Sequence, residues 1–161
     1  MKSSSYVTVL TLALLLLPAV VPPAQKGEIL TEAEQNQLRE EQDPAARIGI
    51  YLDFAQARLD RFDSFRKKPG DPRYDNAGYL DDLLGEYIGL NEELKNWIEY
   101  QYQHDGDMRR GLRALLERGP QQLAALRQIQ QSPDAYAPQY TSSLRDAIDQ
   151  LADTLDGATR A

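Results

Sequence analysis

The sequence of 161 residues contains no cysteine and a single histidine, His104. Without cysteine the chain can form no disulfide framework, and it cannot be a bacterial lipoprotein, whose lipid is attached to a cysteine at the cleavage site. A helical di-iron centre needs two Glu-x-x-His motifs, which one histidine cannot supply. A zinc site needs several histidine, cysteine or carboxylate ligands at one point. We therefore expect no metal and no cofactor.

Residues that favour β-strands are also scarce. Valine and threonine are few, and no alternation of apolar and polar residues persists along the chain. Alanine, leucine, glutamate, glutamine and arginine, which favour helices, are common instead. The composition therefore predicts an all-α fold.

Positive charge is in deficit, because 18 basic residues stand against 25 acidic ones and give a net charge of −7. Nucleic acids and anionic membrane surfaces both favour basic partners. We therefore expect neither of them as a binding partner.

An apolar run, VTVLTLALLLLPAVV, follows Lys2 near the start of the chain. Its length of roughly fifteen residues fits a secretory signal peptide. A membrane-spanning helix usually needs about twenty, and Pro18 interrupts the run. We predict a signal peptide over residues 1–24, cleaved after Ala24, with Ala19 as the second candidate and an uncleaved anchor as the rival interpretation. Cleavage would leave no membrane span and would place the protein in the periplasm or outside the cell.

Capping residues mark where the first helices begin. Thr31 and Glu34 form a capping box, and the segment 25–43 is expected to hold a short helix that is prone to fraying because its apolar residues are few. Asp43 is a suitable N-cap, and Pro44 suits the first position of the helix that follows. The first long helix is therefore predicted to begin there.

Turn sequences mark the later boundaries. The first long helix runs to about Lys68, and the turn PGDPRYD separates it from a second long helix between about Asn76 and about Gln103. A third helix follows the stretch HDGD. Its apolar phase continues across Gly119-Pro120, which predicts a kink or a one-turn break there and no reversal of direction.

A last, shorter helix is predicted from about Gln139. Helices that each carry one apolar stripe cannot bury it alone, so residues 44–161 are predicted to form an antiparallel bundle of three to four helices. The second long helix is acidic, whereas the end of the first and much of the third are basic. This pattern favours a second helix packed between the first and the third, although ordinary solvated faces have the same composition.

Gly85 and Gly89 lie four residues apart within the apolar face of the second long helix. Each glycine costs about 1 kcal/mol in helix propensity relative to alanine. We interpret the pair as a place where a neighbouring backbone comes close. The alternative is a bend that opens a cleft for a small ligand.

The stretch YQYQHDGD contains His104 between a helical pattern and the next helix. The structural interpretation has Gly106 ending the second helix in a left-handed conformation and Asp107 capping the third. A metal site or a general acid or base at His104 is the functional alternative. The acidic turn DPRYDNAGYLDD also has a structural and a functional interpretation. It lacks the EF-hand spacing, so the structural interpretation is a turn before a helix, and the functional alternative is loose binding of a cation.

No motif for a nucleophile, a phosphate loop or a dinucleotide occurs in the sequence. The paired carboxylates are adjacent in sequence, and adjacent side chains diverge on a helix. The sequence therefore predicts that the protein is not an enzyme.

Aromatic and basic residues lie on both sides of the HDGD stretch. Such residues can form a binding surface through stacking and cation–π contacts. We predict a binding surface made of Tyr100, Tyr102, Arg109, Arg110 and Arg113. The predicted function is that of an exported, soluble helical protein that binds an envelope protein or itself. The alternative is a helical bundle that binds a small ligand or a cation.

Overall fold

The structure is a computed structural model that describes residues 29–160, so the predicted signal peptide and its cleavage sites lie outside the described residues. Within residues 29–160 the chain forms helices and no strand, which confirms the all-α class. The helices are α1 (Glu32–Glu40), α2 (Pro44–Lys67), α3 (Asn76–Gln103), α4 (Arg109–Gln131) and α5 (Ala137–Arg160).

The N-terminal boundaries follow from capping side chains. At α1, Thr31 and Glu34 form both halves of the predicted capping box. At α2, the carboxylate of Asp43 accepts a hydrogen bond of 2.8 Å from the backbone N–H of Ala45. At α3, Asp75 likewise accepts one of 2.8 Å from a backbone N–H of the first turn. These bonds satisfy donors that have no partner inside the helix, so the polar residue before each apolar stripe determines where the helix begins.

The four long helices pack in a ring. Helix α2 contacts α3 and α4, and α5 also contacts α3 and α4. Each helix contributes large side chains that are fully buried: Tyr87, Tyr140, Phe62, Ile48, Leu52, Leu80, Leu83, Leu84, Leu90, Leu94, Leu115 and Leu126. The prediction that the second long helix packs between the first and the third is wrong, because α3 has α5 and not α4 as its second main neighbour.

The prediction of an antiparallel bundle is wrong for two of the four neighbouring helix pairs in this ring. Arg118 of α4 contacts Asp53 of α2 at 2.6 Å, and the beginnings of these two helices also lie together, so α2 and α4 run in the same direction. Ser143 near the start of α5 donates a 2.6 Å hydrogen bond to Asp81 near the start of α3, and these two helices also run in parallel. Only the α2–α3 and α4–α5 pairs are antiparallel hairpins.

A buried hydrogen-bond chain crosses the centre of the ring. The hydroxyl of Tyr87 in α3 donates to the side-chain oxygen of Gln122 in α4 at 3.0 Å. The amide of Gln122 donates in turn to the backbone carbonyl of Leu52 in α2 at 3.3 Å. Since a buried polar group without a partner is costly, this chain favours one relative position of the three helices.

Helix α4 continues without a break through Gly119 and Pro120. A Cβ atom on Gly119 would lie 2.6 Å from a methyl carbon of Leu155 in α5, so glycine permits the close approach of these helices. Pro120 lies on the exposed side, where water can reach the carbonyl that the proline leaves without an intrahelical donor. The predicted one-turn break is therefore wrong.

The glycine pair in α3 does not bring a neighbouring helix close. Gly85 is exposed, and a Cβ atom there would meet nothing within 4 Å. Gly89 is buried beneath the side chain of Ile29, which comes from the segment before α1. The packing interpretation is thus wrong for Gly85 and holds for Gly89 with a different partner. Ile29 also occupies the space where the alternative placed a ligand cleft.

Within residues 29–160, no helix combines the length and the apolar composition that a membrane crossing needs.

Candidate binding surface

The five predicted surface residues all lie at one end of the ring, where α3 and α5 end and α2 and α4 begin. Tyr100 and Tyr102 belong to the last turns of α3 and are 52% and 68% exposed. Arg109, Arg110 and Arg113 belong to the first turns of α4 and are exposed. This end, with the residues around them, is the candidate binding surface.

Tyr100 forms part of a row of stacked groups along α3. Its ring centroid lies 6.0 Å from that of Trp97 and 4.1 Å from that of His104, with small interplanar angles in both pairs. The guanidinium of Arg47 from α2 lies 4.4 Å from the Trp97 ring centre. The indole N–H of Trp97 donates to the backbone carbonyl of Pro44 at 3.1 Å. This aromatic row is fixed to the start of α2 and presents the Tyr100 ring to solvent.

His104 ends α3 by a backbone contact. Its Nδ1 lies 2.7 Å from the carbonyl oxygen of Tyr100, and because a carbonyl can only accept, Nδ1 carries the hydrogen. A positive charge at this position would also suit the helix C-terminus. In the part of the chain that the structure describes, no group of three or more His, Cys, Asp or Glu side chains is arranged to hold a metal ion.

The left-handed residue of this turn is Asp105, with φ of 54°, and not Gly106 as predicted. Aspartate tolerates this conformation better than most residues. Gly106 lies directly against the side chain of Gln101, where a Cβ atom would not fit, and its N–H donates to the Gln101 carbonyl at 2.9 Å. The glycine therefore lies in close contact with Gln101, and its backbone angle does not require glycine.

Asp107 precedes α4 and binds Arg109 in two ways. Its carboxylate accepts a hydrogen bond of 3.3 Å from the backbone N–H of Arg109 and two from the guanidinium, at 3.0 Å and 2.7 Å. The hydrogen bonds from Arg109 lower the pKa of the Asp107 carboxyl to about 2. The prediction that Asp107 is the N-cap of α4 is wrong, because Met108 holds that position and makes no side-chain cap. The Asp107 carboxylate nevertheless accepts from a backbone N–H of the first turn, that of Arg109.

The three arginines line one shallow groove with Asp43 and Asp107. Arg110 donates to Asp43 at 2.5 Å, which joins the starts of α4 and α2. Two of the arginines therefore already have a carboxylate partner. Arg113 forms no ion pair within the described residues. We call this groove the arginine groove.

Tyr102 faces a different groove. It shares the groove beside the HDGD turn with Arg109 and Leu112, and it also borders a groove between α3 and α5 that contains Ile98. The structure thus brings the three arginines together and places Tyr102 next to them. Tyr100 is separate from both grooves and belongs to the aromatic row.

Three of the four carboxylates of the acidic turn are engaged by different partners, and the fourth, Asp82, is exposed. Asp71 accepts from the Arg73 guanidinium at 2.6 Å, Asp75 caps α3, and Asp81 accepts from Ser143 at 2.6 Å. They do not point to one centre, so the turn lacks the converging oxygen ligands that a calcium site requires.

Arg58 is a buried charged residue that sequence reasoning missed. Its side chain is 7% exposed, and it joins α2 to the segment before α1 and to α3. Its guanidinium donates to Glu34 at 2.8 Å, to Glu86 at 2.8 Å and to the backbone carbonyl of Ile29 at 3.1 Å. A second guanidinium nitrogen also contacts Glu34. We call Arg58, Glu34 and Glu86, with the Ile29 carbonyl, the Arg58 cluster.

The charges of the Arg58 cluster stabilise one another. The hydrogen bonds from Arg58 lower the pKa of Glu34 from 4.5 to about 2, although burial opposes this shift. The hydrogen bond to Glu34 in turn raises the pKa of Arg58. The capping box at Thr31 was visible in the sequence, but nothing there showed that its glutamate also binds an arginine 24 residues later.

Comparison of the chain with protein-family models, with curated proteins and with solved structures gave no match. The function therefore has to be inferred from the chemistry of the surface. Exposed aromatic faces and guanidinium groups at one end of a helical scaffold can stack, form cation–π contacts and bind carboxylates.

Proposed function

We propose that the chain is an exported helical protein that acts by binding another protein of the cell envelope, or a second copy of itself, and that it is not an enzyme. In this proposal residues 1–24 are a signal peptide, the working compartment is the periplasm or the exterior, and α2 to α5 form the binding scaffold. The observation that carries the proposal is the exposure of Tyr102 beside three arginines, with Tyr100 exposed at the same end of the ring.

Exposed aromatic residues beside arginines have a known energetic role. Tyrosine, tryptophan and arginine are enriched among the residues that contribute most to protein–protein binding. Tyr100 is held between Trp97 and His104, so little side-chain freedom remains to be lost on binding. The arginine groove adds charge that can select an acidic partner surface.

The alternative function, binding of a small ligand or a cation, has less support. Ile29 occupies the space above Gly89, and the carboxylates of the acidic turn have separate partners. A thermal melt with calcium, zinc and EDTA tests this alternative, because a ligand that binds the folded state raises the midpoint. A rise of several degrees that EDTA reverses would favour cation binding over protein binding.

The proposal is tested by crosslinking and capture from an envelope fraction with tagged full-length protein. The variant combines Tyr100→Ala with Arg110→Ala. The matched control combines Tyr74→Ala with Arg73→Ala, because these residues are also an exposed tyrosine and arginine but lie in the turn at the opposite end. We expect the variant to lose captured partners that the control keeps.

Light scattering of the same proteins measures self-association. Loss of a dimer in the variant alone would identify a second copy of the chain as the partner. If the variant and the control capture the same partners and have the same oligomeric state, this surface is not the binding site. Mass spectrometry of the exported protein tests the compartment, with Gln25 expected as the first residue. A protein retained inside the cell with residues 1–24 attached would contradict export.

A further inference from the structure

An opening lies between α3 and α5, on a different side from the arginine groove. The two helices run in parallel and leave a cavity of about 300 Å³ near their C-terminal ends. It is lined mainly by apolar atoms and by the aliphatic parts of charged side chains. The lining residues that matter here are Ile98, Tyr102, Thr154, Gly157 and Ala158.

Small residues in α5 cause this opening. Closer to the helix starts, Leu84 of α3 and Leu144 and Leu151 of α5 belong to one buried core cluster. In the last turns α5 carries Thr154, Gly157 and Ala158 on the corresponding face, and a Cβ atom on Gly157 would meet nothing within 4 Å. The α3–α5 interface is therefore filled along most of its length and open at its end. We call this opening the α3–α5 groove.

Carboxylates surround the α3–α5 groove. Glu99 and Asp153 line it directly, and Glu92 lies two turns earlier on the same face of α3. Asp146 and Asp149 continue the row along α5. All five are exposed, and within residues 29–160 none of them forms an ion pair.

Within the lining of the groove, Lys95 and Arg160 balance Glu99 and Asp153. Farther along the two helices, Glu92, Asp146 and Asp149 are accompanied by one exposed cation, Arg145, which lies one turn before Asp149. The two helices together therefore carry an excess of two negative charges along the groove. The backbone adds to this field. Because α3 and α5 are parallel, their C-terminal ends lie at the same end of the groove, and each carries a partial negative charge. The groove therefore combines an apolar floor with a negative rim.

We propose that the α3–α5 groove binds a cationic amphipathic helix of a partner protein. Apolar side chains spaced three and four residues apart would enter the groove, and lysines or arginines on both flanks would meet the carboxylates. The negative rim disfavours acidic partners and anionic lipids by repulsion. This surface goes beyond the proposed function, because it lies apart from the arginine groove and selects partners of opposite charge.

The probe is a labelled synthetic helix of about 18 residues, with leucines on one face and lysines on the other. Two control peptides keep the length: one replaces lysine with glutamate, and one scrambles the order so that no apolar face remains. Fluorescence anisotropy with the full chain should show saturable binding of the lysine peptide alone. Binding should weaken about 10-fold or more between low and moderate salt, since exposed charges are screened.

Filling the groove is the decisive variant. Gly157→Leu places a side chain in the opening without a clash at Cβ and should weaken binding of the lysine peptide about 10-fold or more. Gly49→Leu is the matched control, because Gly49 is also a helical glycine whose Cβ would meet nothing within 4 Å and lies on α2, which does not border the groove. Thermal melts of both variants verify that each is folded.

Removing charge tests the rim separately. Glu99→Gln with Asp153→Asn should weaken binding several-fold and reduce its salt dependence, whereas Glu117→Gln with Asp82→Asn, two exposed acids elsewhere, should not. Loss of binding in both double variants alike would contradict the assignment of the rim.

Three results would overturn the proposal. The first is that Gly157→Leu binds the lysine peptide as tightly as the original chain, and the second is that the scrambled peptide binds equally well. The third is that the chain dimerises and Gly157→Leu makes it monomeric, since a second copy then occupies the groove. None of these results depends on Tyr100 or Arg110. The peptide-binding proposal for the α3–α5 groove can therefore be refuted without refuting the proposed function, and the reverse also holds.

Discussion

Replacing Glu34 with glutamine should loosen the N-terminal segment from the rest of the fold. The change removes one of the two negative charges that meet the buried guanidinium of Arg58. Breaking a buried ion pair by removing one partner costs roughly 3–5 kcal/mol. Glu86 still faces the guanidinium, and the new amide oxygen can accept one hydrogen bond. We therefore expect Glu34→Gln to lower the free energy of unfolding by about 2 kcal/mol.

The same contact predicts how stability depends on acid. The pKa of Glu34 is lowered from 4.5 to about 2 in the folded protein, so the folded state binds fewer protons than the unfolded state between these values. The stabilisation by Glu34 is therefore complete above about pH 4.5 and is lost as the pH falls from there towards 2. The stability difference between the original chain and Glu34→Gln should shrink across this window, because a protonated glutamate is as neutral as glutamine.

The measurement is urea unfolding followed by circular dichroism at about pH 7, 4 and 3, which lie above and within this window, combined with amide hydrogen exchange. Exchange is needed because α1 is not among the main helix–helix contacts and can open while α2 to α5 stay folded. Glu32→Gln is the control, since Glu32 is an exposed acid in the same first turn and its loss should cost at most about 0.5 kcal/mol. Equal stability and equal α1 exchange in the two variants at neutral pH would refute the reasoning.

Three further substitutions test the packing of the ring by denaturant unfolding. Gly111→Ala should destabilise the protein by about 1–3 kcal/mol, because the added Cβ would lie 2.6 Å from the backbone oxygen of Ala45. Gly85→Ala should instead stabilise it by up to about 1 kcal/mol, because the space around its Cβ is open. A change of stability with the same sign in both variants would contradict the assigned neighbours. Tyr87→Phe should cost about 1–3 kcal/mol because it leaves the buried oxygen of Gln122 without its donor; an unchanged midpoint would show that the two side chains do not interact.

Helix boundaries could be predicted from the sequence because their causes are local. Asp43 before Pro44 and Asp75 before Asn76 bind backbone N–H groups a few residues away, so the capping residue and the helix it begins lie within one turn of each other. The start of α5 was predicted two residues late, near Gln139, because Ala137 and Pro138 resemble the preceding turn in composition. That error too concerns one turn of helix.

The order of the helices could not be predicted because its causes are distant in sequence. The charge pattern predicted that α3 would lie beside α4. Ion pairs between exposed side chains contribute little to stability, however, so they do not determine which helices are neighbours. The apolar face of α3 is wide enough to contact either neighbour. The actual order depends on contacts such as Gly111 against Ala45 and Gly119 against Leu155, and the sequence does not indicate which glycine meets which residue.

The binding surface was only partly predictable for the same reason. Tyr102 and Arg109 lie close in sequence across one short turn, so their proximity follows from the chain. The contact of Arg110 with Asp43, by contrast, joins residues 67 apart, and the α3–α5 groove exists only because two helix ends from opposite halves of the chain meet. Both proposed binding surfaces lie at the end of the ring that this meeting creates.

At the other end of the ring the hairpin turns bind each other, as Arg66 donates to the carbonyl of Ser132 at 2.9 Å. Arg66 also contacts Asp134 in the second turn at 3.8 Å. Exposed aromatic and guanidinium groups occur at both ends, because Tyr74 and Arg73 are exposed in the first of these turns. The opposite end differs in its arrangement, since there one tyrosine is stacked between Trp97 and His104 and three arginines share one groove. This arrangement, and not exposure alone, is the reason for placing the proposed binding surface at that end.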